Sequence, residues 1–286
     1  MDGKSSVTLH AGQAQRAIDF KTLHAQPGLL LLAGAWDAAS AKIYALAGFK
    51  AIGTSSAGIA SSLGYPDGQQ MTLQQNLSVA RTIVECMDLP VSIDIEAGYS
   101  QQPNDMTDVA YAVIATGAVG INIEDSVGGA ESLVDVNYQS NKIRYLRKAA
   151  DELGISLFIN ARTDVYLQQD TTATGRCSET IRRAGHYMEA GADGIFVPDM
   201  GSLDRATIAT LVQEINAPLN LIASPTLPKV AELEDLGVAR LSLGPRPMRT
   251  CLGHLRRIAT ELIEEGSCQL LSAKAPSYNE VNGWFE

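Results

Sequence analysis

Short apolar runs recur along the chain and alternate with longer stretches of helical periodicity. Eight runs have strand length: 29–34, 50–56, 91–96, 119–125, 157–162, 194–198, 219–224 and 240–244. Helical stretches are predicted at 15–24, 38–47, 73–87, 106–116, 138–153, 178–190, 204–215, 228–236 and 248–264. Runs that are apolar throughout, rather than alternating, are typical of parallel strands buried on both faces.

The regular alternation of strand and helix predicts a parallel α/β architecture, and eight such units match a (β/α)₈ TIM barrel. An open doubly wound sheet is the alternative. It is disfavoured because the chain lacks a strand–Gly-x-Gly-x-x-Gly–helix fingerprint. We therefore predict one barrel domain over residues 1–286, with a loose tail at 1–13, an N-terminal helix, and a C-terminal segment at 265–286.

Composition and charge exclude several classes of partner. The net charge of −10 argues against nucleic acid and against a membrane surface. No apolar run approaches the roughly 20 residues that cross a bilayer, and the N-terminus does not resemble a secretory signal. The four cysteines are far apart and lack metal-ligand spacing, so we expect reduced thiols and a cytoplasmic protein.

Charged and hydroxyl side chains gather where the predicted strands end, which is where barrel enzymes carry their chemistry. On a strand, Asp94 and Glu96 would project to one face. With Glu124 from the next strand and Asp67 from the second loop, they would form an oxygen-rich site suited to Mg²⁺ or Mn²⁺. The alternative is a strand end whose acids face solvent or an arginine. Three further acids could equally be helix caps or partners of arginines: Asp125, Asp164 and Asp199.

Other residues at the same strand ends suit an anionic substrate. The planar fork of Arg162 fits a carboxylate, although a salt bridge to Glu124 or Asp94 is also open. Ser55 and Ser56 could donate to an oxyanion or could be small turn residues, and no Gly-x-Ser-x-Gly elbow marks a nucleophile. The remaining candidates for substrate contact are Trp36, Asp37 and Arg246. All four histidines fall in predicted helices or the tail, so we expect neither a histidine base nor zinc.

Six segments resemble signatures of the isocitrate lyase/phosphoenolpyruvate mutase superfamily, in order along nearly the whole chain: residues 34–41, 53–58, 64–67, 94–99, 123–125 and 160–164. The resemblance implies a (β/α)₈ barrel, commonly a tetramer of dimers that exchange their final helix. It implies Mg²⁺ held largely through water by Asp94, Glu96 and Glu124, with Asp67 nearby. It also implies that Ser55 and Ser56 cradle an oxyanion and that Arg162 binds the substrate's carboxylate.

Three departures from the superfamily pattern narrow the range of reactions that the chain could catalyse. Glu96 stands where most members have Asp. The segment 126–133 lacks the Cys and Lys of the lyase lid, and the sixth strand ends in Val197-Pro198 without the histidine of the mutases.

These observations favour a Mg²⁺-dependent lyase that cleaves a carbon–carbon bond of a small 2-oxo or 2-hydroxy di- or tricarboxylic acid through a metal-stabilised enolate. The reaction would be like that of an oxaloacetate decarboxylase or a methylisocitrate lyase, and the protein a homo-oligomer, dimer or tetramer. The expected catalytic residues are Arg162, Ser55, Asp67 and Glu124. The alternatives are a C–P mutase or hydrolase acting on a phosphonopyruvate-like acid, and a non-catalytic or pathway-specialised barrel.

Overall fold

Eight parallel strands form one sheet in the computed structural model of the chain, which describes residues 7–126, 132–168, 173–199, 201–271 and 275–286. The strands are β1 Leu30–Leu32, β2 Ile52–Gly53, β3 Val91–Asp94, β4 Gly120–Glu124, β5 Phe158–Arg162, β6 Gly194–Val197, β7 Leu219–Ile222 and β8 Arg240–Ser242. Strands β2 to β8 pair in sequence order, and β1 pairs with β8.

The seam between β1 and β2 closes the ring. A parallel bridge joins Ala35 to Thr54 just beyond the two strands. Across it, the Ala35 N–H donates to the Gly53 carbonyl at 2.8 Å, and the Ser55 N–H donates to the Ala35 carbonyl at 2.8 Å. The predicted (β/α)₈ barrel is confirmed.

The helices lie between the strands and at both termini. They are α1 Gln13–Ala25, α2 Ala38–Leu46, α3 Ser56–Ser62, α4 Leu73–Glu85, α5 Met106–Ile114, α6 Val136–Glu152, α7 Ala173–Glu189, α8 Arg205–Ile215, α9 Val230–Asp235, α10 Arg246–Glu264 and α11 Tyr278–Gly283. Short 3-10 helices cover Pro103–Asp105, Asp164–Leu167 and Gln269–Leu271. The sequence predicted a loop where α3 lies, because its seven residues are mostly Ser, Ala and Gly and show no apolar stripe.

The strand interiors differ from the apolar runs that the sequence predicted. Asn122, Asn160 and Asn220 are buried on β4, β5 and β7, between buried apolar neighbours. The Asn160 side-chain amide donates to Asn122 Oδ1 at 2.9 Å, and the Ser242 hydroxyl donates to Asn220 Oδ1 at 3.0 Å. Since only alternate residues of a barrel strand point inward, these side chains form a polar layer inside the barrel.

Helix α1 covers the N-terminal end of the barrel. The ring of Phe20 lies edge-on to Phe158, the first residue of β5, with centroids 5.5 Å apart, and His24 stacks on Phe158 at 3.9 Å. The Gln13 side-chain amide donates to the carbonyls of Ile114 and Ala118, which precede β4. This end of the barrel is therefore closed by packed rings and hydrogen bonds, and α1 begins at the last residue of the predicted tail.

The C-terminal helices are mostly exposed. On α10 only Met248 and Glu261 are buried, whereas Leu255 and Ile263 are exposed. Among the described residues, no helix combines the length and the hydropathy that a membrane crossing requires. The four cysteines are free thiols in the structure, as the sequence predicted: Cys86, Cys177, Cys251 and Cys268.

Candidate active site

A cavity of about 290 Å³ opens at the C-terminal ends of the strands. Six of the ten predicted catalytic, substrate-binding and metal residues line it: Ser55, Ser56, Asp67, Asp94, Arg162 and Arg246; Asp199 lines it as well. Four others lie outside its lining: Trp36, Asp37, Glu96 and Glu124. The cavity is at the small end of the range for ligand pockets, so it suits a small molecule.

Asp94 is the carboxylate that ends β3 inside this cavity. The Ser56 hydroxyl donates to its Oδ2 at 2.9 Å, and the Glu96 N–H donates to its Oδ1 at 3.2 Å. Burial raises the pKa of Asp94, whereas the nearby Arg162 guanidinium and these hydrogen bonds lower it. The neighbouring Asp67 adds to the rise. A half-buried carboxylate beside a second acid is a favourable place for a cation.

Glu96 does not share a strand face with Asp94, so that expectation is corrected. Strand β3 ends at Asp94, and Glu96 has left-handed backbone geometry with φ of 49°. Its carboxylate accepts hydrogen bonds from the Gln69 N–H at 2.6 Å and from the Tyr99 hydroxyl. Burial raises the pKa of Glu96, and the Tyr99 hydrogen bond opposes that rise. Glu96 thus ties the loop before α4 to the loop after β3.

Arg162 is held by two carboxylates. Its Nη1 lies 2.8 Å from Glu124, and its Nε and Nη2 donate to Asp164 at 2.6 and 3.1 Å. Burial raises the pKa of Glu124 well above its usual range, and the Arg162 cation counters part of that rise. The salt-bridge alternative for Arg162 is therefore present in the structure. Three of its five N–H groups are engaged in these contacts, which leaves two for a ligand.

Several other acids at the strand ends have structural partners. Asp125 is buried and accepts from Arg183 at 3.0 Å and from the Tyr187 hydroxyl at 2.7 Å. Asp199 accepts from backbone N–H groups at residues 201–203. Asp37 caps α2 by accepting from the Ser40 N–H at 2.7 Å.

The two remaining candidates lie at the cavity's edge or beside it. Trp36 packs against the small apolar cluster of Ile59, Ala60 and Met71. Arg246 lines the mouth of the cavity, and its Nε donates to the Ala223 carbonyl at 3.1 Å. Residues 127–131 of the expected lid lie outside the described part of the chain.

The donor set fits a largely hydrated hard cation better than a cage of carboxylates. Within the described ranges, no group of three or more His, Cys, Asp or Glu side chains is placed to hold a metal ion. Asp94 and Asp67 nevertheless both line the cavity, and Mg²⁺ commonly keeps several waters while binding through one or two carboxylates. Glu96 and Glu124, which the sequence also nominated as ligands, direct their carboxylates to the protein partners described above.

The floor of the cavity consists of residues that were not predicted from the sequence. Arg240, Asn122 and Ser242 all line it. Arg240 Nη2 donates to Asn122 Oδ1 at 3.1 Å, and its Nε donates to the Ser242 hydroxyl at 3.0 Å. Burial lowers the pKa of Arg240 to about 9, and the charge of Asp94 opposes the decrease. The alternation of Arg240, Leu241 and Ser242 along β8 is the signal that could have revealed this floor.

A barrel with charged side chains in a cavity at its C-terminal strand ends has the architecture of a (β/α)₈ enzyme. The family model described as phosphoenolpyruvate phosphomutase matches residues 20–263. The chain belongs to this family, within the isocitrate lyase/phosphoenolpyruvate mutase superfamily of lyases and mutases, and is an enzyme.

Individual relatives agree with this assignment. An uncharacterized protein of Mycobacterium tuberculosis strain H37Rv is 40% identical over 231 residues, which is 80% of this chain and 83% of that protein. The 2-methylisocitrate lyase of Bacillus subtilis strain 168 is 27% identical, over 91% of this chain and 86% of the lyase. A solved candidate phosphonomutase of Burkholderia cenocepacia J2315 is 37% identical with a TM-score of 0.81, covering 86% of this chain and 99% of that one.

Proposed function

We propose that this protein is a divalent-metal-dependent lyase that cleaves a carbon–carbon bond of a small 2-oxo or 2-hydroxy di- or tricarboxylic acid. The observation that carries the proposal is the charge of the cavity lining. Four arginines (Arg162, Arg240, Arg246 and Arg249) and three acids (Asp67, Asp94 and Asp199) line a space of about 290 Å³, so the lining has an excess of positive charge. Such a space favours a small polyanion.

The metal we propose is Mg²⁺, with Mn²⁺ as a substitute, held by Asp94 and Asp67 mainly through water. When bound, it would stabilise the negative charge that develops on the substrate's carbonyl oxygen as the bond breaks. Its charge would also offset the cost of burying Asp94 beside Asp67.

The protein's own side chains would bind and orient the acid. The Ser55 hydroxyl lines the cavity and accepts from the Gly58 N–H, so its own proton would be available to an oxyanion. Ser56 holds Asp94 in place by a hydrogen bond, and the remaining N–H groups of Arg162 would bind a substrate carboxylate. Glu124 would act by fixing the orientation of Arg162.

The test is release of pyruvate or a close analogue, followed by a coupled assay, from a panel of 2-oxo and 2-hydroxy di- and tricarboxylic acids. Each acid is supplied with Mg²⁺ and again with EDTA. We expect turnover that EDTA abolishes and that Asp94→Asn lowers by about 100-fold or more in kcat/KM, because the variant removes the negative charge that β3 presents to the cavity. Arg162→Ala should lower it similarly.

Asp108→Asn is the matched control, because Asp108 is an exposed acid on α5 that does not line the cavity. It should leave turnover unchanged. Turnover that persists in EDTA, or that survives Asp94→Asn, would contradict the proposal.

We also propose that the protein forms a homo-oligomer through its C-terminal helices and works in the cytoplasm. The exposed apolar side chains of α10 and α11 support the first statement, since burial against a second copy would remove them from water. The four free thiols support the second.

A further inference from the structure

Arg240 is a buried cation that crosses the interior of the barrel. Its strand, β8, lies four positions from β4 in a ring of eight, so the two strands face each other. The guanidinium nevertheless reaches Asn122 on β4, at 3.1 Å from Oδ1. Only 1% of Arg240 is exposed, and the residue forms the floor of the cavity that Asp94 and Arg162 line higher up.

The groups that hold Arg240 are neutral. Its Nε donates to the Ser242 hydroxyl, which in turn donates to Asn220 Oδ1. Its Nη2 shares Asn122 Oδ1 with the side-chain amide of Asn160. In the described ranges, no carboxylate lies within ion-pair distance of Arg240, and its Nη1 has no hydrogen-bond partner.

This arrangement differs from that of Arg162, which is half-buried, and of Arg183, which is buried. Arg162 contacts Glu124 and Asp164, and Arg183 contacts Asp125. A buried charge without a counter-ion is costly, so such groups are normally paired. At Arg240 the fork is fixed in place by amides and a hydroxyl, while its charge stays available to a ligand in the cavity.

We propose that Arg240 binds a carboxylate of the ligand at the floor of the cavity and so selects dicarboxylic over monocarboxylic acids. The proposal rests on the proposed function, because it concerns the same cavity. The two ends of the ligand would lie at different depths in the cavity. The end remote from the reacting carbonyl contacts Arg240, and the 2-oxo or 2-hydroxy end lies near Asp94 and Arg162.

The orphaned Nη1 is the donor that we assign to this carboxylate. Asn220 Nδ2, which is also buried without a partner, lies on the adjacent strand β7.

The test compares malate with lactate, two 2-hydroxy acids that differ by one carboxylate in place of a hydrogen. Dissociation constants are measured by calorimetry, in Mg²⁺ and again in EDTA. We expect the wild-type protein to bind malate more tightly than lactate. Arg240→Met should weaken malate binding by at least about tenfold and leave lactate binding unchanged, since truncating one partner of a buried charge pair has a large effect on affinity. Arg240→Lys should restore part of the preference.

Asn122→Asp provides an independent variant that retains Arg240. The new carboxylate would pair with the Arg240 guanidinium at the position that Asn122 Oδ1 now occupies. The variant should therefore remove the preference for malate although the N–H groups of Arg240 remain. Arg205→Met, on the exposed start of α8, is the matched control and should bind both acids as the wild type does. Thermal unfolding of each variant verifies that it is folded.

Two results would overturn the proposal: a wild-type protein that binds malate no more tightly than lactate, and an Arg240→Met variant that weakens both acids equally or neither. Failure of the proposed function is distinguishable. If no acid in the pyruvate-release panel turns over but the malate preference depends on Arg240, the carboxylate floor stands and only the lyase assignment fails.

Discussion

Individual side chains of this site are placed by backbone conformation as much as by residue type. Glu96 shows this, because its φ of 49° turns the carboxylate away from the face that Asp94 occupies. A non-glycine residue in this region costs about 1 kcal/mol or more, and the hydrogen bonds from Gln69 and Tyr99 offset that cost. The identity of the acids was readable from the sequence. The turn that separates them was not, since nothing in the residues 94–99 marks a positive φ at Glu96.

His24 makes folding stability sensitive to acid. Burial lowers its pKa to about 3, with the charge of Arg240 adding to the decrease, so the folded protein keeps it neutral. Unfolded histidine has a pKa near 6.5, so between that pH and about 3 the unfolded state binds the extra proton. The free energy of unfolding should therefore fall by about 2–3 kcal/mol from pH 7 to pH 4.5 through this residue alone.

The His24 contribution is measured by urea unfolding of wild type and His24→Asn at both pH values. Asn retains a donor for the Phe20 carbonyl, which His24 Nδ1 contacts at 2.8 Å, but does not titrate. The stability difference between the two proteins should shrink as the pH falls. His254→Asn, at an exposed site on α10, is the control. A difference that is constant from pH 7 to 4.5 would show that His24 is not the acid-sensitive group.

At the scale of elements, periodicity and glycine positions predicted every strand and most helices to within a few residues. Helix α3 was missed because its small residues have no apolar stripe; the Ser55 hydroxyl starts it by accepting from the Gly58 N–H. The polar layer was missed for a different reason. A strand in a barrel has one face toward the helices and one toward the interior, and Asn122 and Arg240 occupy the interior face, which we expected to be apolar. The residues at the strand ends could be predicted from their position after each strand. The residues of the cavity floor could be predicted only by assigning alternate strand residues to the interior face.

Asp37 offers a test of an element's start. It forms a capping box with Ser40 at the first turn of α2. Asp37→Ala should lower the free energy of unfolding by about 1 kcal/mol, because an N–H of the first turn loses its acceptor. Asp37→Ser should preserve most of the stability, since a serine hydroxyl accepts the same hydrogen bond. Denaturant unfolding compares the three proteins, and a serine variant as unstable as the alanine variant would contradict the capping role.

At the scale of the molecule, the barrel leaves α10 with few contacts in its own chain. Of its 19 residues, only two are buried, and Ile263 is 87% exposed. Because large apolar side chains in water favour association, Leu255→Asp together with Ile263→Asp should shift the protein to a smaller assembly.

Light scattering after size-exclusion chromatography gives the mass of each assembly in this comparison. Ile18→Asp, on an exposed face of α1, is the control for adding charge at an apolar surface position. The same mass for the double variant and the wild type would exclude α10 as the interface.

The closed N-terminal end of the barrel has a kinetic consequence. Phe20, His24 and Phe158 fill that end, so molecules reach the Arg240 level from the opposite side. In the proposed lyase reaction, the fragment nearer the entrance would depart first, and the deeper fragment could leave only once its path is clear. The deeper fragment would leave last and so would compete with incoming substrate for the empty protein. The shallower fragment would bind again while the deeper one is still in place. Product-inhibition patterns would thus report which half of the molecule had occupied the deeper position.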